Sequence, residues 1–162
     1  ALNAVYELGS IYKPLTVAAA LEAGRLTPED VFDVSRPLRI ADRLVRDPHP
    51  LPAAGRATPA DILADSSNIG TVLIGQRAGP ERLRAILTGA GLLSRPEFEG
   101  PSSAAPLEPS DWGPLTAATV SYGHGVAVTP LAFAMSYTLF ANGGAYAAPV
   151  FLESEAKRAL DE

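Results

Sequence analysis

Apolar residues recur at helical spacing in several stretches, and glycine, proline and Thr-Pro pairs punctuate them. The run Val17 to Leu21 lies between Ser10 and Gly24. It predicts a helix over residues 10–23, closed by a C-terminal glycine, with Pro14 at or just past the first turn where it does least harm. Three Thr-Pro pairs carry the same start signal, threonine as N-cap and proline at the first helical position. Thr27-Pro28-Glu29 predicts a short helical turn to about Phe32, and Thr58-Pro59 a helix to about Asp65. Thr129-Pro130 predicts a helix over 131–141, with Leu131, Ala134, Met135 and Thr138 at helical spacing before Asn142-Gly143-Gly144 ends it. Further helices are expected over 71–78, 81–90 and 116–120, and a short polar one over 154–160. Residues 34–45 alternate weakly and read as irregular with a short strand; residues 146–152 read as a strand. The segments 47–58 and 94–114 are rich in proline and read as loops. A loop as long as the second is unusual unless it serves a function, and it would border a substrate cleft or be partly disordered. The chain is therefore expected to be mainly α.

Composition narrows the chemistry. The 162 residues are 47% hydrophobic, enough for one core, and the net charge is -5. That balance argues against a nucleic-acid surface and offers no polybasic membrane patch. With no cysteine and only His49 and His124, neither a thiolate nor a histidine-rich metal site is expected, and no cofactor. His49, between Pro48 and Pro50, reads as solvent-exposed; Arg77, Arg82 and Arg84 read as a solvated face. No stretch of some 20 apolar residues occurs, so no membrane span is expected within these residues.

The most informative stretch is Tyr6-Glu7-Leu8-Gly9-Ser10-Ile11-Tyr12-Lys13-Pro14-Leu15-Thr16-Val17-Ala18-Ala19-Ala20-Leu21-Glu22. Residues i and i+3 share a helix face, so Ser10 Oγ and Lys13 Nζ are expected to converge. A serine hydroxyl becomes a good nucleophile when a neighbouring base takes its proton. A lysine serves as that base when burial lowers its pKa. Taken alone, the same tetrad also fits an N-cap serine followed by a solvated lysine. Two more segments stand out: Ser66-Ser67-Asn68, between two predicted helices, and Ser121-Tyr122-Gly123-His124-Gly125, followed by Val128-Thr129-Pro130-Leu131.

In this order and context, the three segments resemble the active-site pattern of penicillin-binding proteins, most closely the class B kind that includes the septal cell-division transpeptidase. Ser10-Ile11-Tyr12-Lys13 is similar to the family's nucleophile motif, Ser66-Ser67-Asn68 to its Ser-x-Asn element, and residues 121–131 to the run ahead of its last motif. The resemblance implies the helical portion of the serine β-lactamase/penicillin-binding transpeptidase α/β fold, with residues 1–162 a partial transpeptidase domain lacking most of the central sheet. It implies that Ser10 attacks the carbonyl between two D-alanines of a peptidoglycan stem peptide, with Lys13 as base. Ser66 would relay a proton to the leaving amine, and Asn68 would bind the substrate amide. Implied partners are the D-Ala-D-Ala stem peptide, β-lactam antibiotics and cell-division proteins. The implied location is the periplasmic face of the bacterial inner membrane, with the parent protein membrane-anchored.

The family's third motif, Lys-Thr-Gly, does not occur; Lys157 is the only lysine besides Lys13, and the expected position lies beyond Glu162. The family's motif supplies an oxyanion donor, and losing one such donor costs about 2.7–4 kcal/mol. A chain of these residues alone is therefore expected to react weakly with penicillin. Alternative readings are a D-Ala-D-Ala carboxypeptidase, a β-lactamase-like serine hydrolase, and a non-catalytic module that binds wall precursors or division partners. A class A β-lactamase is disfavoured because no Glu-x-x-Leu-Asn segment is present.

Overall fold

The computed structural model describes residues 2–49, 55–99 and 102–151. They fall into two compact units. The first comprises Glu7–Ile86 and Pro109–Val126, and the second is built from residues 2–6, 87–108 and 127–151.

In the first unit the helices are α1 (Lys13–Glu22), α2 (Pro59–Ala64), α3 (Asn68–Ala78), the part of α4 (Pro80–Gly89) up to Ile86, and α5 (Pro114–Ser121). Helix α3 is the central one, packed against both α1 and α5. Ile69, Val72, Ile74 and Ala78 of α3 meet Val17, Ala19 and Ala20 of α1 and Ala117 and Ala118 of α5 in one core. Close approach depends on small residues. A Cβ on Gly75 would lie 2.0 Å from Ser121 Oγ, and one on Gly70 would lie 2.4 Å from Ile62 Cγ1. Helix α2 starts at Thr58 as predicted, and the structure adds a full capping box: the Thr58 hydroxyl accepts from the Asp61 N–H while the Asp61 carboxylate accepts from the Thr58 N–H.

Among the described residues, two small antiparallel sheets complete this unit. Strand β1 (Phe32–Asp33) pairs with β4 (Arg56–Ala57), and β2 (Leu38–Ile40) pairs with β3 (Arg43–Val45). Residues 34–45 are thus mostly a hairpin, turned at Ala41 with φ 51°. The short alternation concealed it because only Ile40 and Val45 among its strand residues are buried.

Several expectations are corrected. The predicted first helix begins as a 3-10 turn, Gly9–Tyr12, and becomes α-helical only at Lys13. Pro14 has no N–H to give Ser10, so the Ser10 carbonyl is taken by the Lys13 N–H instead. After Thr27 the chain makes a turn held by Thr27 N–H to Asp30 Oδ2, 2.8 Å, and Phe32 is in a strand rather than a helical turn. Arg77 is not simply solvated: it pairs with Asp30 at 3.1 Å and its guanidinium lies 4.4 Å from the Phe32 ring centre. His49 is exposed, as expected.

In the second unit, Tyr6 pairs with Val128 and Leu107 with Ala127, both antiparallel. The expected helix over 131–141 divides into α6 (Pro130–Ser136) and α7 (Thr138–Ala141). Around the break, the Ser136 and Thr138 hydroxyls bond the carbonyls of Phe133 and Met135, competing with the regular ladder. Residues 146–151 form no strand; among the described residues they have no partner strand to supply the ladder. The helix expected over 154–160 lies outside the described residues. The whole is mainly helical, as the sequence pattern implies.

Candidate active site

The candidate site lies within the first unit, where the 3-10 turn, the start of α1 and the α2–α3 corner bring distant residues together. Ser10 sits on the exposed 3-10 turn, one turn ahead of Lys13. Lys13 opens α1 and is 1% exposed. Its ammonium donates to the Ser66 carbonyl and, at 3.0 Å, to Ser66 Oγ. Among the described residues its hydrogen bonds go to Ser66 rather than to Ser10. Burial pushes the Lys13 amine down to about 8, while the negative charge of Asp47 works the other way. About a tenth of such amines are neutral at pH 7, against a minute fraction for a solvated lysine.

The corner itself is strained. Ser66 has φ 56°, the left-handed region. This places its carbonyl and hydroxyl both on Lys13. Ser67 then caps α3, its hydroxyl accepting from the Gly70 N–H at 2.8 Å. Asn68 opens α3 and its Nδ2 donates to the Arg46 carbonyl at 3.0 Å.

Three residues without an assigned role in the sequence pattern also shape the site. Asp47, in the segment read only as a loop, accepts from Asn68 N at 2.5 Å and Ile69 N at 2.9 Å through Oδ1. Its Oδ2 accepts from Ser67 Oγ at 2.9 Å. Glu7 and His124 form the second group. The Glu7 carboxylate accepts from the Gly125 N–H at 2.7 Å and lies 3.1 Å from His124 Nδ1. The Gly125 N–H, then the His124 hydrogen bond, hold that carboxyl below its usual range. Gly9 N–H donates to the Gly123 carbonyl at 3.1 Å. The turn that carries Ser10 is thereby tied to residues 123–125. A Cβ on Gly123 would lie 1.8 Å from the Gly9 carbonyl oxygen, and Gly123 also has φ 91°, so only glycine fits there. Thr16 Oγ1 adds a buried bond to the Ser121 carbonyl at 2.8 Å.

Ser10 is thus exposed one turn ahead of a buried amine of lowered basicity, and that amine carries the Ser66 hydroxyl. No cluster of histidine, cysteine and carboxylate ligands suited to a metal occurs among the described residues. The family model for the penicillin binding protein transpeptidase domain matches residues 1–162. The chain belongs to the penicillin-binding transpeptidase family.

Its relatives agree. It is 37% identical over 144 residues to the probable peptidoglycan D,D-transpeptidase FtsI of Caulobacter vibrioides, covering 89% of this chain and 24% of that protein. To the penicillin-binding protein PbpB of Mycolicibacterium smegmatis it is 31% identical over 157 residues, covering 94% of this chain and 24% of the other. Among solved structures, the transpeptidase domain of Burkholderia pseudomallei penicillin-binding protein 3 superposes with a TM-score of 0.84 at 29% identity, over 94% of this chain and 47% of that one. Penicillin-binding protein A of Mycobacterium tuberculosis, captured as a ceftriaxone acyl-enzyme complex, gives 0.81 at 26% identity, over 90% of this chain and 35% of that one. The fold is the helical part of the transpeptidase α/β fold. The chain spans about a quarter of the length of the curated relatives it matches.

The long-range partners in this candidate site had little sequence signal. Asp47 lies 21 residues from Asn68, and Glu7 lies 118 residues from Gly125. Nothing in the local pattern around either acid distinguishes it from a solvated carboxylate.

Proposed function

We propose that residues 1–162 are the nucleophile-bearing part of a transpeptidase domain in a peptidoglycan D,D-transpeptidase. The observation that carries this reading is the buried Lys13 amine, bonded to Ser66 one turn after an exposed Ser10. The relatives named peptidoglycan D,D-transpeptidases support the substrate class.

In this reading Ser10 Oγ attacks the carbonyl carbon between the two D-alanines of a stem peptide. The hydroxyl proton passes to neutral Lys13 Nζ, so negative charge moves onto the substrate oxygen as the C–O bond forms. The tetrahedral adduct collapses by breaking the C–N bond. The leaving D-alanine amine takes a proton through the Ser66 hydroxyl, whose bond to Lys13 gives the proton a path. The amine of a second stem peptide then attacks the ester, forms the cross-link and returns the proton to Ser10. Asn68 binds the substrate amide, its Nδ2 fixed by the Arg46 carbonyl and its Oδ1 left to receive an N–H. β-Lactams enter the first half of the same sequence and leave Ser10 acylated. The parent protein acts at the periplasmic face of the bacterial inner membrane, anchored there, in company with cell-division proteins.

The test is labelling of the full-length protein with a fluorescent penicillin, followed by peptide mapping. One label on the Ser10 peptide, absent from the Ser10→Ala variant, is expected. Labelling of Ser10→Ala at the wild-type rate would overturn the assignment.

A further inference from the structure

We propose that Asp47 is a positioning residue of this site, fixing the Ser66–Asn68 corner through its carboxylate. The inference rests on the transpeptidase reading above and adds a residue that reading does not use.

The geometry is specific. One oxygen, Oδ1, receives the backbone N–H groups of Asn68 and Ile69, the first two of α3, at 2.5 and 2.9 Å. The other, Oδ2, receives Ser67 Oγ at 2.9 Å. Ser67 is fully buried, and its hydroxyl oxygen in turn accepts from Gly70 N–H at 2.8 Å. Together Asp47 and Ser67 satisfy three of the unpaired N–H groups at the start of α3, and they do so from outside the helix. The residue before Asp47 completes the hold, because the Arg46 carbonyl receives Asn68 Nδ2 at 3.0 Å. Two consecutive residues thus grip both the backbone and the side chain of Asn68.

A helix start favours a negative charge, so the carboxylate is well placed electrostatically. The same charge reaches Lys13. Burial lowers the Lys13 amine, and Asp47 opposes that effect by stabilising the ammonium. Asp47 therefore sets two properties: where Ser66 and Asn68 stand, and at what pH Lys13 becomes a base. The two can be separated. Asp47→Asn keeps an oxygen for the N–H groups of Asn68 and Ile69 but removes the charge. Asp47→Glu keeps the charge but displaces the corner.

The experiment measures second-order acylation by a penicillin from pH 5.5 to 9.5 in the full-length protein, for wild type, Asp47→Asn and Asp47→Glu, with Ser10→Ala as the control for the site. In Asp47→Asn the rise of rate with pH is expected at a pH lower by about half a unit or more, since Lys13 loses a stabilising negative charge. In Asp47→Glu the rate is expected to fall about tenfold with the rise at its wild-type pH. A wild-type profile in Asp47→Asn, with Ser10 still the labelled residue, would overturn the role of Asp47 and leave the transpeptidase reading intact. An equal shift in Asp47→Glu would overturn it as well. Labelling that persists in Ser10→Ala would instead remove the reading on which both rest. Should Asp47→Glu fail to fold by circular dichroism, the near-isosteric Asp47→Asn profile decides alone.

Discussion

Lys13 is costly where it lies. Lowering its pKa from 10.5 to about 8 corresponds to roughly 3 kcal/mol of disfavoured ammonium in the folded state, net of the opposing charge of Asp47. The unfolded chain binds the proton more tightly, so between about pH 8 and 10.5 stability should rise with pH. Lys13→Met should therefore raise stability by about 1–2 kcal/mol at pH 7, by a smaller margin at pH 10, and abolish acylation. Melting curves of the full-length protein at both pH values check this; a destabilised variant at pH 7 would contradict it. Acylation of the wild type should increase with pH through about 8, the direction required of a base that acts when neutral. The spacing of Ser10 and Lys13 was legible because it is a local property, but the Lys13 ammonium bonds Ser66 rather than converging on Ser10. The bonds from Lys13 to Ser66 span 53 residues, and no local pattern reveals the aim of an ammonium.

Elements show the same division. Helix starts at Thr58 and Thr129 follow from side chains beside the N–H groups they cap, and both hydroxyls cap as predicted. Thr58→Ala should cost about 1 kcal/mol and leave acylation unchanged, read by chemical denaturation and penicillin labelling. Gly75→Ala should behave differently. Its new Cβ would press on Ser121 at the α3–α5 contact and should cost roughly 1–3 kcal/mol. Gly123→Ala, which forces the Gly9 carbonyl away and with it the Ser10 turn, should lower the acylation rate at least tenfold, measured at a temperature where the fold persists. A wild-type rate in that variant would show that the Gly9–Gly123 tie is dispensable. The hairpin of β2 and β3 was hidden because its strands are three residues long and mostly exposed, too short for a period of two to register. The break at Tyr137 was hidden because apolar spacing continues across it while Ser136 and Thr138 hydroxyls take the carbonyls.

For the molecule as a whole, the family match over residues 1–162 sets the fold, and the share of its relatives that it covers leaves the parent protein's setting to experiment. No described helix is long and apolar enough to cross a membrane. The proposed periplasmic location predicts that, in spheroplasts of the source bacterium, external protease removes the penicillin-labelled domain of the full-length protein, while an intact inner membrane protects cytoplasmic markers. Protection of the domain under those conditions would contradict it. The sequence by itself determined the helix starts at Thr58 and Thr129 and the three-residue spacing of Ser10 and Lys13, because each depends on residues within a few positions of one another. Only the tertiary structure decided that Ser66 receives the Lys13 ammonium, that Asp47 and Arg46 hold Asn68, and that Glu7 and Gly9 join the Ser10 turn to residues 123–125. Those contacts join residues far apart in the chain, and hydrogen-bond geometry across such distances is set by where the elements lie rather than by any local run of residues.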